Sequence, residues 1–144
     1  MDSRLVRHSP TRPLVLIVDG HEEALALYAV TLYAMGFDVL AAKDGTEAVS
    51  RAREVQPDII ATELPMQADD VWDFLQRLKQ DARTRDIPIV AVTGHIQQSL
   101  RERAERDEFA AVLPAPSLVD ELAAGLRQVL DGKIHAPADF LSGL

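Results

Sequence analysis

Apolar positions in this chain follow two alternating rhythms, unbroken short runs and helical stripes. Leu14-Val15-Leu16-Ile17-Val18 is a continuous apolar run and predicts a strand covered on both faces. It ends at Asp19-Gly20. Glu22 and Glu23 then open a stretch with Leu25, Tyr28, Leu32 and Met35 on one stripe, the spacing of a helix, which Gly36 stops. A short strand over Asp38–Ala42 follows. Asp44-Gly45 turns the chain into a second helix marked by Ala48, Val49, Ala52 and Val55 and closed by Pro57. The run Ile59-Ile60-Ala61-Thr62-Glu63-Leu64 is again apolar and β-branched, and Pro65, with no N–H to give, ends its ladder. A third helix runs from about Asp69 to Lys79 with Val71, Trp72, Leu75 and Leu78 apolar. Ile87–Thr93 reads as a fourth strand, Gln97–Arg106 as a charged helix with only Leu100 and Ala104 apolar, and Phe109–Leu113 as a fifth strand. Ser117 can cap a last helix carrying Val119, Leu122, Leu126, Val129 and Leu130.

Five strands alternating with five helices predict βαβ units and a mostly parallel sheet with helices on both faces. The loops after the first, third, fourth and fifth strands then share one sheet edge. That edge carries Asp19-Gly20-His21, Glu63, Thr93-Gly94-His95 and Pro114-Ala115-Pro116. In open α/β sheets, ligands bind at this carboxyl end of the strands. The expected organisation is an N-terminal arm over 1–13, one domain over 14–130 and a C-terminal tail over 131–144.

Composition narrows the chemistry. A chain of 144 residues, 47% hydrophobic and 26% charged, can bury a full core as one soluble domain. It has no cysteine, which excludes disulfides and thiolate chemistry. No apolar run reaches the length of a membrane span, and no apolar segment follows the early arginines as in a secretory signal, so a cytoplasmic protein is expected. The net charge of −8 argues against nucleic-acid or anionic-membrane binding.

The segments LVLIVDG, QPDIIATELPM, IPIVAVTG and AVLPAP, in this order, closely resemble the receiver domain of two-component response regulators over roughly Pro13 to Leu130. The resemblance implies a flavodoxin-like (CheY-like) doubly wound fold, a five-stranded parallel sheet of strand order 2-1-3-4-5 with five helices. It also implies phosphorelay signalling through an aspartate on the third strand. Two acids after the first strand and that aspartate would hold Mg²⁺. A Ser or Thr ends the fourth strand, and a Lys precedes a Pro after the fifth. Metal and Lys neutralise the phosphoryl oxygens while the aspartate attacks in line.

Matched position by position, Asp19 fits the first acid and Thr93 the hydroxyl. Gly20 stands for the second acid, Glu63 for the phosphoacceptor, Ala115 for the lysine and Val112 for the aromatic switch residue that works with Thr93. The core pattern is intact while four of the six site positions have lost the family's residue type. The expectation is a pseudo-receiver, a binding module and not an enzyme, acting by phosphorylation-independent protein–protein contact. Its partner would be a histidine kinase or other signalling protein, met through the face of the fourth helix, fifth strand and last helix. Self-association as a homodimer stays open. No cofactor is expected: Asp19 and Glu63 are the only metal ligands the matched positions leave, enough for weak Mg²⁺ binding at best.

Other readings stay open. The chain could be an atypical receiver still phosphorylated, or weakly binding metal, at Glu63. Glu63 could mimic a phospho-aspartate by pushing charge toward Thr93. His21 and His95 could join Asp19 and Glu63 as zinc ligands, although no short His/Cys spacing marks such a site. A flavodoxin-like enzyme is the remaining class, but Asp-Gly-His-Glu-Glu after the first strand repels phosphate and no nucleophile–base pair is evident.

Overall fold

The computed structural model describes residues 12–64, 68–93, 109–114 and 119–132. Its elements run β1 (Leu14–Val18), α1 (Glu22–Ala34), β2 (Asp38–Ala42), α2 (Gly45–Val55), β3 (Ile59–Leu64), α3 (Ala68–Gln80), β4 (Ile89–Thr93), β5 (Ala111–Pro114) and α4 (Val119–Leu130). The five strands form one parallel sheet in the order β2-β1-β3-β4-β5, the flavodoxin-like arrangement the sequence predicts. Four helices fall among the described residues; the one expected over 97–106 lies outside them.

Strand alternation splits the core into two layers. Leu16, Val18, Ile60, Ile89 and Ala91 face one side, against Ala48, Val49 and Ala52 of α2 and Phe74, Leu75 and Leu78 of α3. Val15, Ile17, Ile59, Ala61, Val90 and Val92 face the other, against Leu32 of α1 and Leu122 and Leu126 of α4. All of β1 is buried, which explains its unbroken apolar run. Asp44 caps α2 by accepting the Glu47 N–H at 2.8 Å, and the Glu47 side chain reaches back to the Lys43 N–H at 3.1 Å, in the manner of a capping box.

Two strand boundaries differ from expectation, and proline accounts for the first. β4 begins at Ile89, not Ile87, because Pro88 has no N–H for the ladder and Ile87 donates instead to Thr84 O in a turn. β5 runs Ala111–Pro114, not Phe109–Leu113; Phe109 is buried in the α2–α3 layer ahead of the ladder. Met35, expected on the buried stripe of α1, instead lies past the helix end and is exposed.

Arg12, expected in the N-terminal arm, is fixed in place. Its Nε bonds Asp38 Oδ1 at 3.0 Å, its Nη2 donates to Tyr33 O and Phe37 O at 2.8 Å, and the guanidinium stacks over the Tyr33 ring. Arg127 of α4 approaches the same helix end, donating to Met35 O at 2.8 Å and lying over Phe37. The last turn of α1 has no basic residue of its own, so these two arginines supply the cations its exposed carbonyls favour.

Candidate functional site

Register places the site. Val18 pairs with Thr62, so Asp19 and Glu63, one step further on, come level at the carboxyl ends of the two central strands. Glu63 pairs in turn with Val92 of β4, and Leu64 with Thr93. Asp19 continues the sheet edge by donating its N–H to Ala42 O at 3.0 Å. Its residue is 2% exposed, so this carboxylate is set into the protein and held by the backbone on either side.

His21 turns back over this pair. Its backbone N–H donates to Asp19 Oδ1 at 2.8 Å, and its Nδ1 lies 3.0 Å from the same oxygen and 4.0 Å from Glu63 Oε2. His21 is also the N-cap position of α1, but its side chain makes no cap bond. Among the described residues, two carboxyl groups and one imidazole therefore meet at the sheet edge. Beside them is a crevice with room for roughly one water molecule, walled by Ala61 and Val92 of the sheet, Tyr28 of α1 and Leu122 of α4.

The electrostatics follow from two acids sharing one small space. A hydrogen bond to Asp19, then burial, then the Asp19 charge push the Glu63 carboxyl up to about 7. Burial alone would raise Asp19 too, but hydrogen bonds from Glu63 and from the backbone and ring of His21 outweigh it and hold Asp19 below the usual carboxylate range. At neutral pH and below, the pair thus shares a proton, with the Glu63 O–H donating to an ionised Asp19. The hydrogen bond to Asp19, reinforced by the charges of Asp19 and Glu63, raises the His21 imidazole. Burial, and then the same two acids, raise the Tyr28 phenol.

Of the residues singled out in the sequence, Asp19, His21 and Glu63 come together. Gly20 sits beside them, exposed; a Cβ there would meet only Lys43 O, at an ordinary 3.8 Å, and no steric demand for glycine is seen. Thr93 ends β4, in register with Pro114, and Val112 pairs with Ala91 within β5. Ala115 and His95 lie outside the described residues. The inward turn of His21 onto Asp19 carried a local signal that pattern reading passes over: an Asp two residues ahead readily accepts a backbone N–H in an Asx turn.

The Mg²⁺ that the fold family implies wants an octahedron of oxygens. Among the described residues the site offers two side-chain carboxyl groups, one of them tied to His21, no side chain at Gly20, and a ring nitrogen between the acids. This donor set does not fit that ion.

A family model, the response regulator receiver domain, matches residues 15–127. The chain is 33% identical over 121 residues to the DNA-binding dual master transcriptional regulator RpaA of Synechocystis sp., covering 82% of this chain and 49% of that protein. It is 27% identical over 116 residues to the polar-differentiation response regulator DivK of Brucella anthropi, covering 81% of this chain and 94% of that one. The fold superposes on the chemotaxis response regulator CheY4 of Vibrio cholerae with a TM-score of 0.73 at 23% identity, over 83% of this chain and 99% of the other. It superposes on the receiver domain of a modulated diguanylate cyclase from Desulfovibrio desulfuricans with a TM-score of 0.69 at 28% identity, over 85% and 96%. The matched span begins in β1 and ends in α4, taking in every strand of the sheet and the edge where Asp19 and Glu63 meet, and on that ground the chain belongs to the response regulator receiver family.

Proposed function

We propose that this receiver domain acts as a binding module whose partner contacts do not depend on phosphorylation. The observation that carries the reading is the closed contact of Asp19, His21 and Glu63: the acids share a proton and the imidazole lies against them. In-line attack on a phosphodonor needs an ionised acceptor, and it needs cations to neutralise the phosphoryl oxygens. Here the acceptor position is a glutamate held partly protonated at neutral pH, Gly20 brings no ligand, and the sequence has Ala115 in place of a lysine. The proposed partner is a histidine kinase or another signalling protein, met through the face that includes β5 and α4.

The test is incubation of the full chain with Mg²⁺ and a small acyl-phosphate donor, read by intact mass. No phosphoryl group is expected on the wild type, nor on Glu63→Asp, since residues 20 and 115 are unchanged in that variant. A stoichiometric, hydroxylamine-labile adduct on Glu63 would establish the second reading, an atypical but working receiver, which the 40% exposure of the Glu63 side chain favours. Binding of the partner by Glu63→Gln separates a silent site from charge mimicry: affinity is unchanged in the first case and lost in the second.

A further inference from the structure

We propose that Asp19, His21 and Glu63 form a site for a borderline transition-metal ion of the Zn²⁺ or Co²⁺ class, in place of the Mg²⁺ of the fold family. The inference goes beyond the binding-module reading and does not depend on it.

Geometry carries the argument. One ligand atom from each of the three residues lies within 4.8 Å of the others, with His21 Nδ1 at 3.0 Å from Asp19 Oδ1 and 4.0 Å from Glu63 Oε2. Bonds of about 2.0–2.1 Å to Zn²⁺ in a tetrahedron put ligand atoms roughly 3.3 Å apart, so the three atoms need only small movements to meet that shape. The parts differ usefully in freedom. Asp19, its side chain 1% exposed, is the fixed ligand, while the His21 ring at 81% and Glu63 at 40% can adjust around an entering ion. The nitrogen decides the class of metal. A hard ion prefers an all-oxygen shell, whereas imidazole with carboxylates suits Zn²⁺, Co²⁺ and their neighbours. An acid at residue 20 would have completed an oxygen set; instead the imidazole of the next residue enters. Three protein ligands leave one position of a tetrahedron for water.

The test uses the full chain, stripped with a chelator, and titrates it with Co²⁺, Zn²⁺ and Mg²⁺ separately. One Co²⁺ per chain is expected, with the visible absorption of a low-coordinate site. Zn²⁺ should displace it, and Mg²⁺ in roughly 100-fold excess should not. His21→Gln and Glu63→Gln should each weaken Co²⁺ binding by at least about 10-fold, the smallest loss expected even for a supporting group. The chain has three other histidines, His8, His95 and His135, and a variant with all three changed to Gln should bind Co²⁺ as the wild type does. No uptake, uptake insensitive to His21→Gln or to Glu63→Gln, loss in the triple variant, or displacement by Mg²⁺ would each overturn the proposal. The metal titration is read without phosphodonor or partner, so its failure leaves the binding-module reading standing.

Discussion

Replacing Glu63 with glutamine probes the shared proton directly. In the unfolded chain the Glu63 carboxyl titrates near its ordinary 4.5, and in the folded chain at about 7. The folded state therefore holds an extra proton between these two values, and stability falls as pH rises through that window. Above it the fold carries two ionised acids at the sheet edge. At 1.36 kcal/mol per pH unit the unscreened cost is about 3 kcal/mol, but the Glu63 side chain is 40% exposed and solvent screens most of it, leaving about 1 kcal/mol. The glutamine amide can donate to Asp19 as the protonated glutamate does, without ever ionising. Glu63→Gln should therefore raise the melting temperature at about pH 8, by roughly 3–5 °C for a domain of this size. It should change little at about pH 5.5, where the wild type is already protonated. His21 works in the same direction in the wild type. Its imidazole is raised by Asp19, so its contribution is full below the ordinary 6.5 and is lost as pH rises through its folded value. Asp19, held low, contributes above its ordinary 3.8 and loses that contribution only in acid. Thermal melts of both proteins at the two pH values, with chelator present, check this. A gain equal at both pH values, or a loss at pH 8, would refute the shared-proton account.

Two further substitutions test how the scaffold is fixed. Arg127→Ala removes the donor to Met35 O and the stack on Phe37, and should cost about 1 kcal/mol in urea unfolding, with loss of protection at the end of α1 seen by amide exchange. Thr84→Val keeps the shape but removes the buried 2.7 Å bond to Leu78 O at the end of α3, and should cost about 1–2 kcal/mol by the same measurement.

What could be read in advance follows the range of the interactions. β1 and β3 were legible because central strands of a parallel sheet are buried on both faces, and burial on both faces writes an unbroken apolar run. The pairing of Asp19 with Glu63 follows from strand order, since both acids end adjacent central strands. The start of β4 was misplaced because Ile87 is as apolar as a strand residue, although the missing N–H of Pro88 keeps it out of the ladder. Phe109 misled similarly: it is buried, but the strand begins two residues later, at Ala111. The arginine supports of α1 were not legible, since Arg127 and its acceptor Met35 are 92 residues apart and nothing local to either marks the bond. Thr84 gave no pattern signal because a single hydroxyl closing a helix end has no periodicity. His21 was legible as a candidate ligand at the sheet edge, but its contact with Asp19 depends on a turn geometry that apolar periodicity does not encode.

The open space at residue 20 sharpens the chemical meaning of that position. A Cβ there meets no backbone closer than 3.8 Å, so packing does not force a glycine. Charge gives a reason for it. A third carboxylate beside Asp19 and Glu63 would add repulsion to a pair that already retains a proton to avoid double ionisation. Such a triad holds together when a divalent cation and a lysine are at hand. With alanine at 115 and an imidazole at 21, the edge is arranged instead to satisfy itself: one acid is anchored by backbone and ring N–H groups, the other donates to it, and His21 supplies the partial positive charge. On the proposed reading, an edge satisfied in this way exerts little pull on a hard cation or a phosphoryl group, and partner contacts would not depend on that chemistry.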